Sequence, residues 1–587
     1  MRGTGRSTAL IYVDIVGAFD AVLRQLVFGS NQLPFDDAGI AHIVHALGLP
    51  PSVMHHIASE LSSQCILRRM DVPAVLSRSV AEAHAHTWFS TQGLGAVAQP
   101  RAGSRPGDPL GDVIFNILEC HVHSRIEAVV KDHPAILVLP PLVPNRIPPF
   151  LDNDPAPVFF NNYVDDDAFA VTSPSAELLV QHVAEMAAII CRTFLCLGLA
   201  LNYKENKTEI VVNLVGPNSR RVLRDLITDC ASSITVPAAS LVDGVSDIKI
   251  KVVAWYKHMG VATAASRSLP LEAKARAGAL FSTLRSIRPK VIKNPRLDVH
   301  TKLSLCASLL FSRLFFASAL WHHEPEAAKI TITNAYITPL REALSMTNVD
   351  YEGRLLDERT RTTNVQVLIA AEVPSAIGRA RLARIKYWVR FVRAAPRTLL
   401  RLYLACHDLE GTWSSDLADD LRACWQGGAK ALDGLPDPRT DIVPWLVAAH
   451  DRAPGFIAAL CLGVSKHYAP SASGERAEER EPCVACPECD KMFPSFVVMC
   501  SHRTAKHGYI NPLRRHVCGT QCPSCHVQFH SYARLYHHTR NKRVCRDFCF
   551  RHVPPMSMEV AKAIMAASLK TEQARKSKDL RCPCIRP

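Results

Sequence analysis

The chain has 587 residues, 48% of them hydrophobic, and a formal net charge of +14. That is enough for roughly three to four domains and ample for a globular core. No apolar run reaches the ~20 uncharged residues of a membrane span, because the two nearest are broken by Arg192 and Arg313. Met1 to Arg6 carries no signal-peptide pattern. The expectation is a soluble, intracellular, nuclear protein with no membrane partner.

Charge and cysteine are both unevenly spread. Residues 483–550 hold 10 Lys and Arg against 3 acids, and residues 551–587 hold 8 against 3, so this end supplies most of the positive charge. Eleven of the 20 cysteines lie between Cys483 and Cys584. In an intracellular chain such crowding points to metal ligands rather than disulfides. A basic, metal-bearing end is the expected polyanion contact.

In chain order, Thr8 to Val13 reads as a buried strand ending at Asp14. Helical patterns follow through Ser62. Gly103 to Asp112 is a Gly/Pro-rich loop, after which Leu110, Val113, Ile114, Ile117, Leu118, Val122, Ile126 and Val129 mark the buried face of a helix. Pro134 to Pro157 holds eight prolines in 24 residues, which predicts an exposed insertion without regular structure. Val158 to Thr172 reads as two short strands joined at Tyr163-Val164-Asp165-Asp166-Asp167. A helix over about 176–197 follows with Leu179, Val183, Met186, Ile190, Phe194 and Leu197 on one face, then strands at Glu209–Val215 and Ile248–Trp255, then helices from Leu269 onward. Residues 330–460 read as mostly helical and 471–482 as a polar linker.

Two adjacent carboxylates at a strand turn repel each other, and a divalent cation is the usual remedy. Asp14, at the end of a separate strand, can converge with Asp165 and Asp166 on a pair of Mg²⁺ ions. Such a pair can activate a 3′-hydroxyl and stabilise a leaving pyrophosphate. Asp167 is expected to be solvated, and Asp20 to bond local backbone.

Near the end, Cys486-x2-Cys489-x12-His502-x4-His507 frames Phe493 and Met499 as a small core, the pattern of a ββα zinc finger. Cys522-x2-Cys525-x12-His538-x6-Cys545 repeats it around Phe529 and Leu535, with a longer last spacing and His537 as a rival to His538. Two Zn²⁺ ions are expected, with Arg503, Lys506, Arg514, Arg515, Arg534, Arg540, Lys542, Arg543 and Arg546 for nucleic-acid phosphates.

The ordered blocks resemble the palm of a reverse transcriptase, most like those of non-LTR (LINE-type) retrotransposons. The blocks are Tyr12-Val-Asp14-Ile-Val-Gly-Ala-Phe19-Asp20, Gly103-Ser-Arg105-Pro-Gly107-Asp108-Pro109-Leu110, Tyr163-Val-Asp165-Asp166, Gly198-Leu-Ala-Leu-Asn202 through Lys207-Thr208, and Trp255-Tyr-Lys-His-Met-Gly260. The resemblance covers residues 8 to about 325. It implies an α+β fold, with a right-hand polymerase palm of antiparallel sheet and helices over 1–263, a thumb over 264–328, a helical connector over 329–470, zinc fingers within 483–550 and a basic tail over 551–587.

It further implies that Asp14, Asp165 and Asp166 are the catalytic Mg²⁺ ligands, helped by the Ile15 carbonyl. Phe19 would exclude ribonucleotides by clash, Arg105, Gly107 and Asp108 would shape the nucleotide floor, and Lys207 would contact pyrophosphate. The implied activity is that of an RNA-directed DNA polymerase, a nucleotidyltransferase taking an RNA template, a DNA primer or nicked target, and deoxynucleoside triphosphates. The chain departs from the family at Pro106, at Gly111-Asp112, and in the four residues between Asn202 and Lys207. Only 13 residues precede Asp14, so the sequence reads as an N-terminally truncated copy. The competing expectation is a catalytically dead remnant that acts only as a zinc-dependent nucleic-acid-binding protein. A viral RNA polymerase is disfavoured by Tyr-Val-Asp-Asp and by Phe19.

Overall fold

The computed structural model describes residues 5–29, 37–85, 88–90, 93, 97–98, 103–104, 109–163, 166–264, 269–322, 324–346, 362–427, 430–468, 484–489, 492–493, 496–529 and 531–577. The chain is mixed α+β and divides into two units. One comprises Met1–Arg288, Ser304–Tyr336 and Pro374–Ala469; the other comprises Pro289–Leu303, Ile337–Val373 and Pro470–Pro587. The expected linker over 471–482 lies outside the described residues.

The first unit is built on strand β1 (Ser7–Val13), helix α1 (Pro109–Val130), the short strands β2 (Leu137–Leu139) and β3 (Ala156–Val158), the pair β4 (Phe160–Tyr163) and β5 (Asp166–Ser173), helix α2 (Ala176–Cys196), strands β6 (Glu209–Asn213), β7 (Ser233–Val236) and β8 (Ile248–Val253), and the hairpin β9 (Trp255–His258) and β10 (Val261–Ala264). Six strands form one mixed sheet in the order β4-β5-β1-β6-β8-β7. Strand β1 is antiparallel to both β5 and β6, and only β6 and β8 run parallel. The β9–β10 hairpin turns at Met259 and Gly260, both with positive φ.

Side chains alternate across a strand, so the two faces of β1 have different tasks. Ala9, Ile11 and Val13 enter the main core with Phe169 and Val171 of β5, Leu118 and Val122 of α1, and Val183 of α2. Tyr12 lies on the other face in a smaller cluster with Val211 and Tyr256. Helix α2 buries the face its spacing predicts, and Ser175 caps it by accepting the Leu178 N–H at 3.2 Å. Helix α1 buries Ile114, Leu118, Val122 and Ile126 of its predicted face but not the whole of it. Val113 and Val129 are half or more exposed, while Phe115 and Val130 are buried, and Glu119 and His123 join them in the interior.

The proline-rich insertion corrects the expectation of an exposed, irregular segment. Strands β2 and β3 pair within it in register from Leu137↔Val158 to Leu139↔Ala156. Leu151 is buried in a cluster built from the helices α3 (Ala376–Ala394), α4 (Arg397–Ala405), α5 (Trp413–Gln426), α6 (Val443–His450) and α7 (Phe456–His467). Arg146 pairs with Asp408, Arg397 pairs with Asp152, Arg401 donates to the Pro140 carbonyl at 2.9 Å, and Phe150 stacks on His450 at 4.1 Å. Prolines restrict the segment's unfolded conformations, and its few apolar side chains suffice to dock it.

Truncating Leu151 to alanine removes a buried side chain and leaves a cavity, so urea unfolding should show a loss of about 2–4 kcal/mol. A loss below about 0.5 kcal/mol, the level of a surface substitution, would mean that the insertion is exposed.

Candidate functional site and metal centres

The register of β1 with β5 pairs Val13 with Asp167. Asp14 follows Val13 and Asp166 precedes Asp167, so the two carboxylates stand side by side at the open end of the sheet. Both act on Tyr256, whose hydroxyl is held well above its usual range by burial first, then by Asp14 and Asp166. Tyr12 stacks on that ring at 4.2 Å. Burial pushes the His258 imidazole down, against the opposing pull of Asp166 and Asp167. The β9–β10 hairpin therefore supplies two rings beside the acids.

The stretch that runs from Gly198 to Thr208 is brought against Asp14. The Asn202 N–H donates to the Asp14 carbonyl at 2.8 Å, and its side-chain amide donates to Asp14 Oδ2 at 3.0 Å. The Asp14 N–H donates to Thr208 Oγ1 at 3.2 Å. Lys207 Nζ donates to Asp14 Oδ1 at 2.9 Å, with the two side chains 46% and 23% exposed. An exposed ion pair of this kind contributes only about 0–1 kcal/mol, so a cation can displace the lysine at little cost. Asn202, Thr208, Tyr256 and His258 were assigned no role at this site from the sequence, because their convergence is set by pairing between distant segments.

Phe19 is partly buried, with its ring 5.1 Å from Phe115. Asp20 lies against Gly103, whose φ is +88°; a Cβ there would stand 3.0 Å from the Asp20 Cα. The Gly103 and Ser104 N–H groups donate to the Val22 and Phe19 carbonyls, each at 2.7 Å. Buried Arg24 locks this contact by donating to the carbonyls of Gly103 and His84, both at 2.6 Å. Asp165, Arg105, Gly107 and Asp108 lie outside the described residues.

Asp167 is a correction. It is not solvated but 1% exposed, facing the core where Glu119 and His123 of α1 meet it. Alternation along β5 requires this, since neighbours of a residue on the open face must point inward. The pattern was available in the sequence as Glu119-x3-His123, one turn apart on a helix and flanking its predicted buried face.

The second unit holds two Cys/His clusters, each with its four ligand atoms within 4.8 Å of one another. In the first, strands β11 (Val484–Ala485) and β12 (Met492–Phe493) pair and helix α8 (Phe496–His507) follows. Cys489 Sγ lies 3.2 Å from His502 Nε2 and 3.3 Å from His507 Nε2. Buried Cys486 and Met499 line the interior, while the Phe493 side chain is outside the described residues. The second cluster corrects the ββα expectation. Its cysteine loop carries only an isolated bridge, Gln521↔Gln528, before helix α9 (Tyr532–Asn541). Cys545 then comes from a second helix, α10 (Arg543–His552), beyond a break at Lys542. That break explains the long x6 spacing. His538 faces the cluster, with Nε2 3.3 Å from Cys525 Sγ, and His537 is exposed. Leu513, Leu535, Tyr536 and Cys549 form the small core around it.

The basic residues near these clusters divide into two groups. Arg503 pairs with Glu488 and lies 3.9 Å over the Tyr509 ring, Arg514 lies 4.1 Å over Tyr536, and Arg515 donates to the Met556 carbonyl at 2.9 Å. These and Arg546, which pairs with Asp547, are partly buried. Lys506, Arg534, Arg540, Lys542 and Arg543 are exposed. The chain matches no model of a known protein family and no curated protein.

Cys545→Ser should remove one equivalent of bound zinc, and His537→Ala none, by elemental analysis of the purified chain. The reverse pattern would assign the ligand to His537.

Proposed function

We propose that the chain is an RNA-directed DNA polymerase of the non-LTR retroelement kind, with Asp14, Asp166 and Asp165 as its metal-binding acids. The observation that carries this reading is the placement of Asp14 beside Asp166 at an open sheet end, with Lys207, Asn202 and Thr208 gathered on Asp14. On this reading the sheet and its helices are the palm, and the helices within 264–328 are the thumb. Hard carboxylate oxygens, one of them paired with an exposed lysine, fit Mg²⁺. Bound there, Mg²⁺ would polarise a primer 3′-hydroxyl and offset the charge of a triphosphate. Asp14 and Asp166 would be the residues that hold the ions. Asn202 fixes the Asp14 carboxylate, and Lys207, once displaced from it, would contact an incoming phosphate. Phe19 presents a partly exposed ring on the short helix that follows Asp14, where it would clash with a ribose 2′-hydroxyl.

The two Cys/His clusters are read as zinc sites that fold their modules. Lys506, Arg534, Arg540, Lys542 and Arg543 then form the nucleic-acid contact, through phosphates first and with little sequence preference. The partners are an RNA template, a DNA primer or nicked target, and deoxynucleoside triphosphates.

Primer extension on poly-A/oligo-dT with Mg²⁺ tests this. Asp14→Ala and Asp166→Asn should each lower incorporation by about 10³-fold, the equivalent of roughly 4 kcal/mol of lost metal stabilisation. Equal incorporation by wild type and either variant would falsify the assignment. Phe19→Ala should retain deoxynucleotide incorporation and admit ribonucleotides. In a gel-shift assay, replacing Arg534 and Arg540 with alanine should weaken binding about equally across sequences and flatten its salt dependence by roughly one unit of slope per lost contact.

A further inference from the structure

The buried group Glu119, His123 and Asp167 is used neither by the proposed reaction nor by the zinc fingers. We infer that it is a third, sulfur-free metal site that holds a divalent ion, Zn²⁺ first, in the core between α1 and β5. The inference does not depend on the polymerase reading.

The donors are one imidazole nitrogen and two carboxylate oxygens from two elements, and all three residues are at most 4% exposed. Glu119 and His123 are one turn apart on α1 and share its inward face. His123 Nε2 lies 3.2 Å from Asp167 Oδ1 and 3.6 Å from Glu119 Oε2, and it makes no hydrogen bond there. A charge-assisted hydrogen bond would close to about 2.7–2.9 Å. Donors arranged tetrahedrally around an ion at about 2.0–2.1 Å stand about 3.3–3.4 Å apart, between the two observed values. The first Cys/His cluster has the same spacing, with its donors 3.2 and 3.3 Å apart.

The surroundings favour an ion as well. Two carboxylates removed from water and set around one imidazole repel each other, and a divalent charge neutralises them. Phe160, stacked on the His123 ring at 4.4 Å, and Phe169, edge-on at 5.7 Å, hold the ring in its orientation. Mixed imidazole and carboxylate donors suit Zn²⁺. The second oxygen of either carboxylate can supply the fourth position, as in a closed structural site. The ion would tie α1 to β5 one residue from Asp166, so these three residues position the open-face acid without touching substrate.

The test counts metal in the full-length chain by mass spectrometry after dialysis against a weak chelator. A chain carrying Cys486→Ser and Cys545→Ser should retain one zinc, and X-ray absorption should show a shell of nitrogen and oxygen at about 2.0 Å without the sulfur shell at about 2.3 Å. Adding Glu119→Gln or His123→Leu should take that zinc to zero. A Glu119→Leu/His123→Leu double variant, which fills the space with apolar side chains, should fold and bind none. No metal in the double-serine chain, sulfur in its shell, or retention of the zinc by a folded Glu119 or His123 variant would each overturn the inference. Because the readout is bound metal, failure here leaves the primer-extension result untouched, and the reverse also holds.

Discussion

The pairing of Val13 with Asp167 is the constraint on which the first unit depends. A strand turns successive side chains to opposite faces, so one register decides the fate of three consecutive acids. Asp166 stands beside Asp14 at the open end of the sheet, and Asp167 enters the core against α1. A slip of one residue would send Asp166 inward and leave Asp14 facing Asp167. The apolar face of β5 prevents this, because Phe169 and Val171 would leave the core, and their contact with the side of Ile11 and Val13, in the same slip. The same burial that stabilises the fold therefore fixes where the charges are.

The second unit depends on a different kind of interaction. Around its second cluster the described apolar core amounts to Leu513, Val517, Tyr532, Leu535 and Tyr536 with the cysteines. A core of that size is marginal on its own, and small modules are commonly completed by a metal whose binding energy is folding energy. The second cluster also draws its last ligand from α10, so metal binding there would fix the angle between two helices as well as close a loop.

How much of this could be read in the sequence followed from the range of the interactions. Local patterns were legible: the buried face of α2, the Cys-x2-Cys pairs, and the strand ending at Asp14 all depend on residues a few positions apart. The contact of Lys207 and Asn202 with Asp14 spans nearly 200 positions and was not legible, since the sequence offered only the order of the blocks that carry them. Glu119, His123 and Asp167 were passed over because a charged residue in an apolar helix face reads as a break in the pattern, and because three acids in a row read as a solvated tip. Proline content misled at 134–157, where pairing of β2 with β3 and docking of Leu151 outweigh the loss of backbone donors.

The central claim is that Asp14 and Asp166 form a single cation site. The most direct measurement replaces Mg²⁺ with Fe²⁺ and maps the backbone cuts made by hydroxyl radicals generated at the bound ion. The account predicts cuts near residue 14 and near residue 166 in the same chain, competed by Mg²⁺ and lost together in Asp14→Asn. Cuts at only one of the two segments, or cuts near 166 that persist undiminished in Asp14→Asn, would contradict it.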